Sequence, residues 1–273
     1  MRLTEEQLQS YDRDGFLLLT DCFSGEEVSN MTAELPALFA EDSERRVVEK
    51  ASRAVRSVYG SHVDNQVFRR LARHPRLLEP AMQLLGGPVY VYQFKINAKI
   101  AFLGDVWEWH QDFIFWHRED GVRDPKLVTV GVFLDEVTEF NGPLMVVPGS
   151  HKEGIIDPPT TGGVPKEYAG RPDWIANLTA DLKYSIDHTA LARLVSRGGI
   201  TAPKGPAGSV LFFHCNLAHG SVPNLSPSDR KMVLLTYNRV DNPPLIGERS
   251  RPEFLVSRDF RPLSPLANDA LLH

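Results

Sequence analysis

Cysteine is scarce in this chain: Cys22 and Cys215 are the only two among 273 residues, far apart and in no Cys-x-x-Cys pair. A disulfide framework and a zinc ribbon are thereby excluded. Long hydrophobic runs are missing too, since no segment reaches the roughly 20 apolar residues of a membrane span. The start, Met1-Arg2-Leu3-Thr4-Glu5-Glu6, has no apolar stretch of the kind a signal peptide carries. Nor is there an excess of positive charge: a net charge of -5 gives no reason to expect nucleic acid or an anionic membrane as partner. Internal repeats and low-complexity tracts are absent. The expectation is a soluble protein of the reducing cytoplasm that acts on a small molecule, with its oligomeric state left open.

What is present is an ordinary globular composition, 42% hydrophobic and 24% charged, enough for a sizeable core. Thr4-Glu5-Glu6-Gln7 and Ser24-Gly25-Glu26-Glu27 both have the form of a capping box. They predict helices to about Arg13 and to about Phe39, with a buried strand at Phe16–Leu19 between them. The charged run Glu41 to Lys50 is expected to be a solvated, mobile segment. Residues 67–85 read as helical with a break near Pro75, and Gly86-Gly87-Pro88 stops the pattern. From Val89 the texture changes to short alternating runs rich in β-formers, at 89–97, 127–134, 144–147, 208–214 and 231–240. The expected fold class is therefore mainly β with flanking helices, around a jelly-roll or cupin-like core. We read one domain: a helical N-terminal part of about 1–88, a barrel of about 89–240 and a tail of 241–273. The long connection 153–204, with Pro158-Pro159-Thr160-Thr161-Gly162-Gly163 and a helix opening at Asp187, is read as a lid over the barrel mouth.

Within Trp107-Glu108-Trp109-His110-Gln111-Asp112-Phe113, His110 and Asp112 stand two apart in an aromatic-rich segment. On one strand they would point the same way and can share a metal ion. Two His plus one carboxylate, leaving half the coordination sphere open, is the ligand set of non-heme Fe(II) oxygenases. His214 and His219 both follow a buried-looking strand and compete to be the third ligand. His219 is preferred because it opens the segment ending in Arg230, and an Arg grips a carboxylate through two parallel hydrogen bonds. His151, in Pro148-Gly149-Ser150-His151, reads as a structural residue of a turn.

Trp109-His110-Gln111-Asp112-Phe113, Trp116, Glu119-Asp120-Gly121, Glu139-Phe140-Asn141-Gly142-Pro143-Leu144, Pro148-Gly149-Ser150-His151-Lys152 and His219-Gly220-Ser221 with Arg230 together resemble the phytanoyl-CoA dioxygenase-like superfamily. Within it the chain is most similar to ectoine hydroxylases and to free L-leucine hydroxylases of natural-product pathways. The likeness runs from about Leu3 to Leu263. It implies a double-stranded β-helix binding Fe(II) through His110, Asp112 and His219, with 2-oxoglutarate as cosubstrate and O2 as oxidant. It also implies that Arg230 holds the far carboxylate of the keto acid, assisted by Ser221 and Asn97, and that Gln93 and Trp116 line the substrate pocket. An aspartate at position 112, where related halogenases carry a small residue, favours hydroxylation over chlorination.

Gln111, Ile114 and Phe115 stand where ectoine hydroxylases usually have Ser, Glu and Thr, which suits a substrate with an aliphatic part. Arg56, Tyr59 and His62 resemble a polar stretch of leucine hydroxylases and are candidates for holding a free amino acid, with Arg123 in reserve. The expected activity is thus hydroxylation of an unactivated C–H bond in a leucine-like amino acid or amino-acid derivative, releasing succinate and CO2, with an ectoine-type hydroxylase as the alternative. A cupin-like module that binds a metal or ligand without turnover has no use for an open iron face. A zinc hydrolase would leave Arg230 and Ser221 without a role.

Overall fold

The computed structural model describes residues 1–157, 173–180, 182–248 and 250–273. The elements run α1 (Glu5–Asp14), β1 (Phe16–Leu19), α2 (Gly25–Ala33), α3 (Leu35–Ala40), β2 (Arg46–Val48), β3 (Val55–Tyr59), α4 (Gln66–Leu71), α5 (Pro75–Leu85) and β4 (Val89–Lys99). They continue with β5 (Trp107–His110), α6 (Asp112–Asp120), β6 (Leu127–Phe133), β7 (Met145–Val146), α7 (His188–Gly198), β8 (Val210–His214), β9 (His219–Ser221) and β10 (Arg230–Arg239). Two antiparallel sheets result, a seven-stranded one in the order β1-β8-β6-β10-β4-β3-β2 and a three-stranded one in the order β5-β9-β7. This is the double-stranded β-helix, the jelly-roll or cupin-like core expected from the short alternating runs.

The helical caps follow their chemistry. Thr4 and Ser24 each accept from the backbone N–H three residues on, while the Gln7 and Glu27 side chains reach back to the cap N–H, so both capping boxes are complete. The helix expected to run from Ser24 to about Phe39 is two helices, because Pro36 at the start of α3 breaks the ladder. The charged stretch before Lys50 is not a free segment either. Residues 46–48 pair with β3, and Glu49 is buried. Helices α1–α5 pack on one face of the large sheet through Met31, Phe68, Leu77 and Leu78 against Phe94, Ile96, Val130 and Val233.

The opposite face of that sheet matters for function. Side chains alternate along a strand, so with Phe94 and Ile96 committed to the helices, Gln93, Lys95, Asn97 and Lys99 of β4 all face the barrel interior. On β10, Arg230, Met232 and Leu234 face the same way, with Arg230 directly opposite Lys99. On β3, Tyr59 pairs with Lys95 and shares its face. The small sheet lies across this interior, bringing β5 beside β9 so that His110 is paired with His219.

Of the connection 153–204, residues 158–172, including Pro158 to Gly163, lie outside the described residues, so the lid reading falls largely there. The helix expected at Asp187 is present: its carboxylate caps α7 by accepting from Thr189 and Ala190. The tail returns to the barrel, with Leu255 and Val256 buried and the Ser257 N–H donating to the Tyr92 carbonyl. No helix among the described residues is long and apolar enough to cross a membrane.

Candidate active site

His110 ends β5, and its strand is closed by β9. Asp112 does not share that strand, contrary to the expectation above: Gln111 is the N-cap of α6 and Asp112 is its first residue. The turn, rather than β alternation, aims the carboxylate. Gln111 holds it by donating to the Gly154 and Asn216 carbonyls and accepting from the Ile156 N–H. A carboxylate at the start of a helix is also favoured by the helix dipole.

The three side chains converge. His110 Nε2 and His219 Nε2 lie 3.7 and 3.9 Å from Asp112 Oδ1, and one ligand atom from each residue falls within 4.8 Å of the others. All three residues are buried. His110 Nδ1 meets the Glu108 carbonyl at 2.6 Å and His219 Nδ1 the Leu217 carbonyl at 2.9 Å. Carbonyls only accept, so both Nδ1 atoms carry the proton and both Nε2 lone pairs are free for a metal. Burial pushes His219 down to about 4, helped by the neighbouring His110, so it is a neutral ligand at ordinary pH. Burial alone would raise Asp112, but the two imidazoles that face it, His219 first and His110 next, outweigh burial and hold the carboxyl well below its ordinary value. A two-nitrogen, one-oxygen donor set on one side of an otherwise open cavity fits iron(II).

Two cavities meet at His110. One is lined by Asn97, Leu144, His219, Ser221, Met232, Leu234 and Arg230. Arg230 is 3% exposed, donates only to the Gly142 carbonyl among the described residues, and has an unpartnered buried Nε. Burial drives its guanidinium down to about 10. Among the described residues the buried amide oxygen of Asn97 likewise has no partner. Buried polar groups without partners are costly, and a carboxylate in this cavity would satisfy the guanidinium. A keto acid with a far carboxylate fits the donor set.

The second cavity is lined by Tyr59, Gln93, Phe115, Trp116, Asn177, Leu178, Leu182 and Arg251, and shares Lys95, Trp107 and His110 with the first. Gln93 donates to the Leu255 carbonyl, and Trp116 packs edge-on against Tyr92. Arg251 was not among the residues singled out from the sequence. It is buried and donates through Nε and Nη2 to the two oxygens of Asp120, which also accepts from the Tyr92 hydroxyl, leaving Nη1 outside that pair. Lys95 and Asn177 were missed as well.

Two of the proposed substrate residues do not reach this cavity. Arg56 donates to both Glu49 oxygens and to the Val106 carbonyl and stacks 3.7 Å over the Trp107 ring, so its charge is already compensated. It fastens the β2–β3 hairpin to the approach of β5. Arg56→Ala is expected to destabilise the protein by about 3–5 kcal/mol, because Glu49 is left buried and unpaired. Chemical denaturation checks this, and a loss below about 1 kcal/mol would contradict the role. His62 stacks on Phe94 with its centroid 5.1 Å away and lines a separate groove, its charge suppressed to about 4 by burial. Arg123 is a surface residue beside Asp124. His214, the rejected ligand, caps the turn after β8 by accepting from the Asn216 N–H and packs against His151.

Residues 11–232 match the phytanoyl-CoA dioxygenase family model. Among named relatives, L-proline trans-4-hydroxylase of Streptomyces griseoviridis is 42% identical over 261 residues, covering 96% of this chain and 95% of that protein. Ectoine dioxygenase of Bordetella parapertussis is 40% identical over 273 residues, covering 97% and 86%. Among solved structures, EctD from S. alaskensis with 2-oxoglutarate and 5-hydroxyectoine superposes with a TM-score of 0.79 at 34% identity, covering 97% of this chain and 86% of that one. The same protein with bound Fe gives 0.79 over 97% and 87%.

Proposed function

Because this chain belongs to the phytanoyl-CoA dioxygenase family and is an Fe(II)- and 2-oxoglutarate-dependent dioxygenase, we propose that it hydroxylates an unactivated C–H bond of a small free amino acid or close derivative. The observation that carries this reading is the pair of cavities meeting at His110, each lined by a buried arginine. Such an arrangement suits two carboxylates on either side of one metal face.

His110, Asp112 and His219 would hold the iron through Nε2, a carboxylate oxygen and Nε2. Arg230 would hold the far carboxylate of 2-oxoglutarate, with Ser221 and Asn97 beside it. Iron with the keto acid and dioxygen supplies the oxidising power, as the keto acid becomes succinate and CO2 and one oxygen atom goes to the substrate carbon. In the second cavity Arg251 would bind the substrate carboxylate while Asp120 keeps the guanidinium in place, and Gln93, Tyr59 and Asn177 offer further polar contacts. Trp107, Phe115, Trp116, Leu178 and Leu182 would enclose the aliphatic body and keep water out. Phe115 packs beside His110 with ring centroids 6.2 Å apart, so part of the wall beside the metal is apolar. That favours an aliphatic amino acid, and the relative named for L-proline puts proline ahead of leucine as the first compound to try. The ectoine enzymes among the relatives keep ectoine as the second reading.

Turnover of the iron-loaded protein with 2-oxoglutarate against L-proline, L-leucine, other free amino acids and ectoine tests the proposal by mass spectrometry. One of them should gain a single oxygen atom in step with succinate; no substrate-stimulated succinate from any of them would reject it. For Arg251→Lys we expect KM for that substrate to rise about tenfold or more, since a lysine cannot serve Asp120 and a carboxylate in fork geometry. Affinity for 2-oxoglutarate should be unchanged, and equal losses for both ligands would move Arg251 out of the substrate cavity.

A further inference from the structure

Opposite Arg230 lies a second buried basic side chain that the proposed reaction does not use. Lys99 is 1% exposed and sits directly opposite Arg230 on the neighbouring strand. Its Nζ donates to the backbone carbonyls of Asp105 and Val222, which stand two residues before Trp107 and one after Ser221, both lining residues of the cosubstrate cavity. A third loop carries Gly142, whose carbonyl accepts from Arg230 and whose Cα lies so close to the Lys99 stem that an added Cβ would fall 2.8 Å from Cδ. The Asn224 amide, two residues beyond Val222, donates to the Lys99 carbonyl.

The charges around Lys99 do not balance. Arg230 faces it from β10 and Arg56 from β3, both positive; Glu49 and Asp105 are the facing carboxylates. Glu49 is taken by Arg56, and Asp105 accepts from the Val106 N–H. Among the described residues no carboxylate hydrogen-bonds Lys99 or Arg230. A neutral amine has two N–H bonds, enough for the two carbonyls, so Lys99 can stay uncharged without losing a partner. Burial first, and the Arg230 and Arg56 charges next, bring it down to about 6 in the cosubstrate-free protein.

We propose that Lys99 is a positioning residue for 2-oxoglutarate: it takes up a proton as the dianion docks on Arg230, and the resulting ammonium draws the turns of Asp105 and Val222 around the bound carboxylate. The inference rests on the assignment of Arg230 to the keto acid. The sign follows from linkage. A group whose pKa rises on binding favours binding most where it is already protonated, so affinity is highest near and below pH 6. It then falls with rising pH until the pKa of the bound state is passed.

The test is calorimetry of 2-oxoglutarate binding to the Mn(II)-loaded protein without oxygen, in buffers of different ionisation enthalpy, from pH 6 to 9. The wild type should take up about half a proton or more per cosubstrate near pH 7.5, and its affinity should decline across the range. Lys99→Met should show no uptake, binding about tenfold more weakly than wild type at pH 6 and nearly as well at pH 9. Lys99→Arg, permanently charged, should also show no uptake and no decline. A merely structural lysine would weaken binding equally at every pH. Absence of proton uptake in the wild type, or uptake unchanged in either variant that folds, overturns the proposal while leaving Arg230 in its role. No binding of 2-oxoglutarate at all overturns both.

Discussion

Asp112→Gly is expected to lower substrate-coupled turnover by at least about 10^3-fold, roughly 4 kcal/mol in the barrier, while the fold survives. The carboxylate is the sole oxygen donor of the three converging groups, and both His Nε2 atoms face it. Its loss opens one of three ligand positions, with no replacement among the described residues: Cys215 is buried and burial pushes its thiol well up, so it stays protonated. The structural cost is small. Asp112 is the first residue of α6, where glycine costs at most about 1 kcal/mol, and removing a buried carboxylate also removes its desolvation penalty. Thermal unfolding should therefore shift by a few degrees while product, followed by mass spectrometry, disappears. Hydroxylation within tenfold of wild type would remove Asp112 from the metal.

The second large effect belongs to Arg230→Met. Loss of a buried guanidinium clamp on a carboxylate costs about 2–5 kcal/mol, so affinity for 2-oxoglutarate should fall by at least about 30-fold, measured calorimetrically on Mn(II)-loaded protein without oxygen. Arg230→Lys should recover only part of it, because an ammonium cannot make two parallel bonds to one carboxylate. The cosubstrate-free protein should be no less stable, since the variant removes a buried cation that has one carbonyl partner and an unpartnered Nε. A marked loss of stability with unchanged affinity would make Arg230 a structural residue and leave the cosubstrate cavity unassigned.

How far these residues could be read from the sequence depended on what each one answers to. The β-runs declare themselves by alternation, and alternation also places Gln93 and Asn97 on one face of β4. His110 and Asp112 were recognised by residue type and spacing, yet for a reason the structure replaces: the strand stops at His110 and a helix N-terminus presents Asp112. Arg56 and His62 looked equivalent to Tyr59 along the chain, but only Tyr59 lines the cavity, because Arg56 answers Glu49 and His62 answers Phe94. Those partners are tertiary contacts with no local signature. Arg251 was hidden for the same reason. It lies in an irregular tail, and its meaning comes from Asp120, 131 positions away. Lys99 looked like any strand lysine until its register opposite Arg230 was known.

The most direct measurement of the central claim, that His110, Asp112 and His219 present an iron face to a chelating keto acid, is an anaerobic titration of 2-oxoglutarate into the Fe(II)-loaded protein, followed by the visible charge-transfer band of an iron–keto acid chelate. The band should appear, saturate at one equivalent, and be lost in Asp112→Gly. No band in the wild type, or one that persists undiminished in Asp112→Gly, would contradict it.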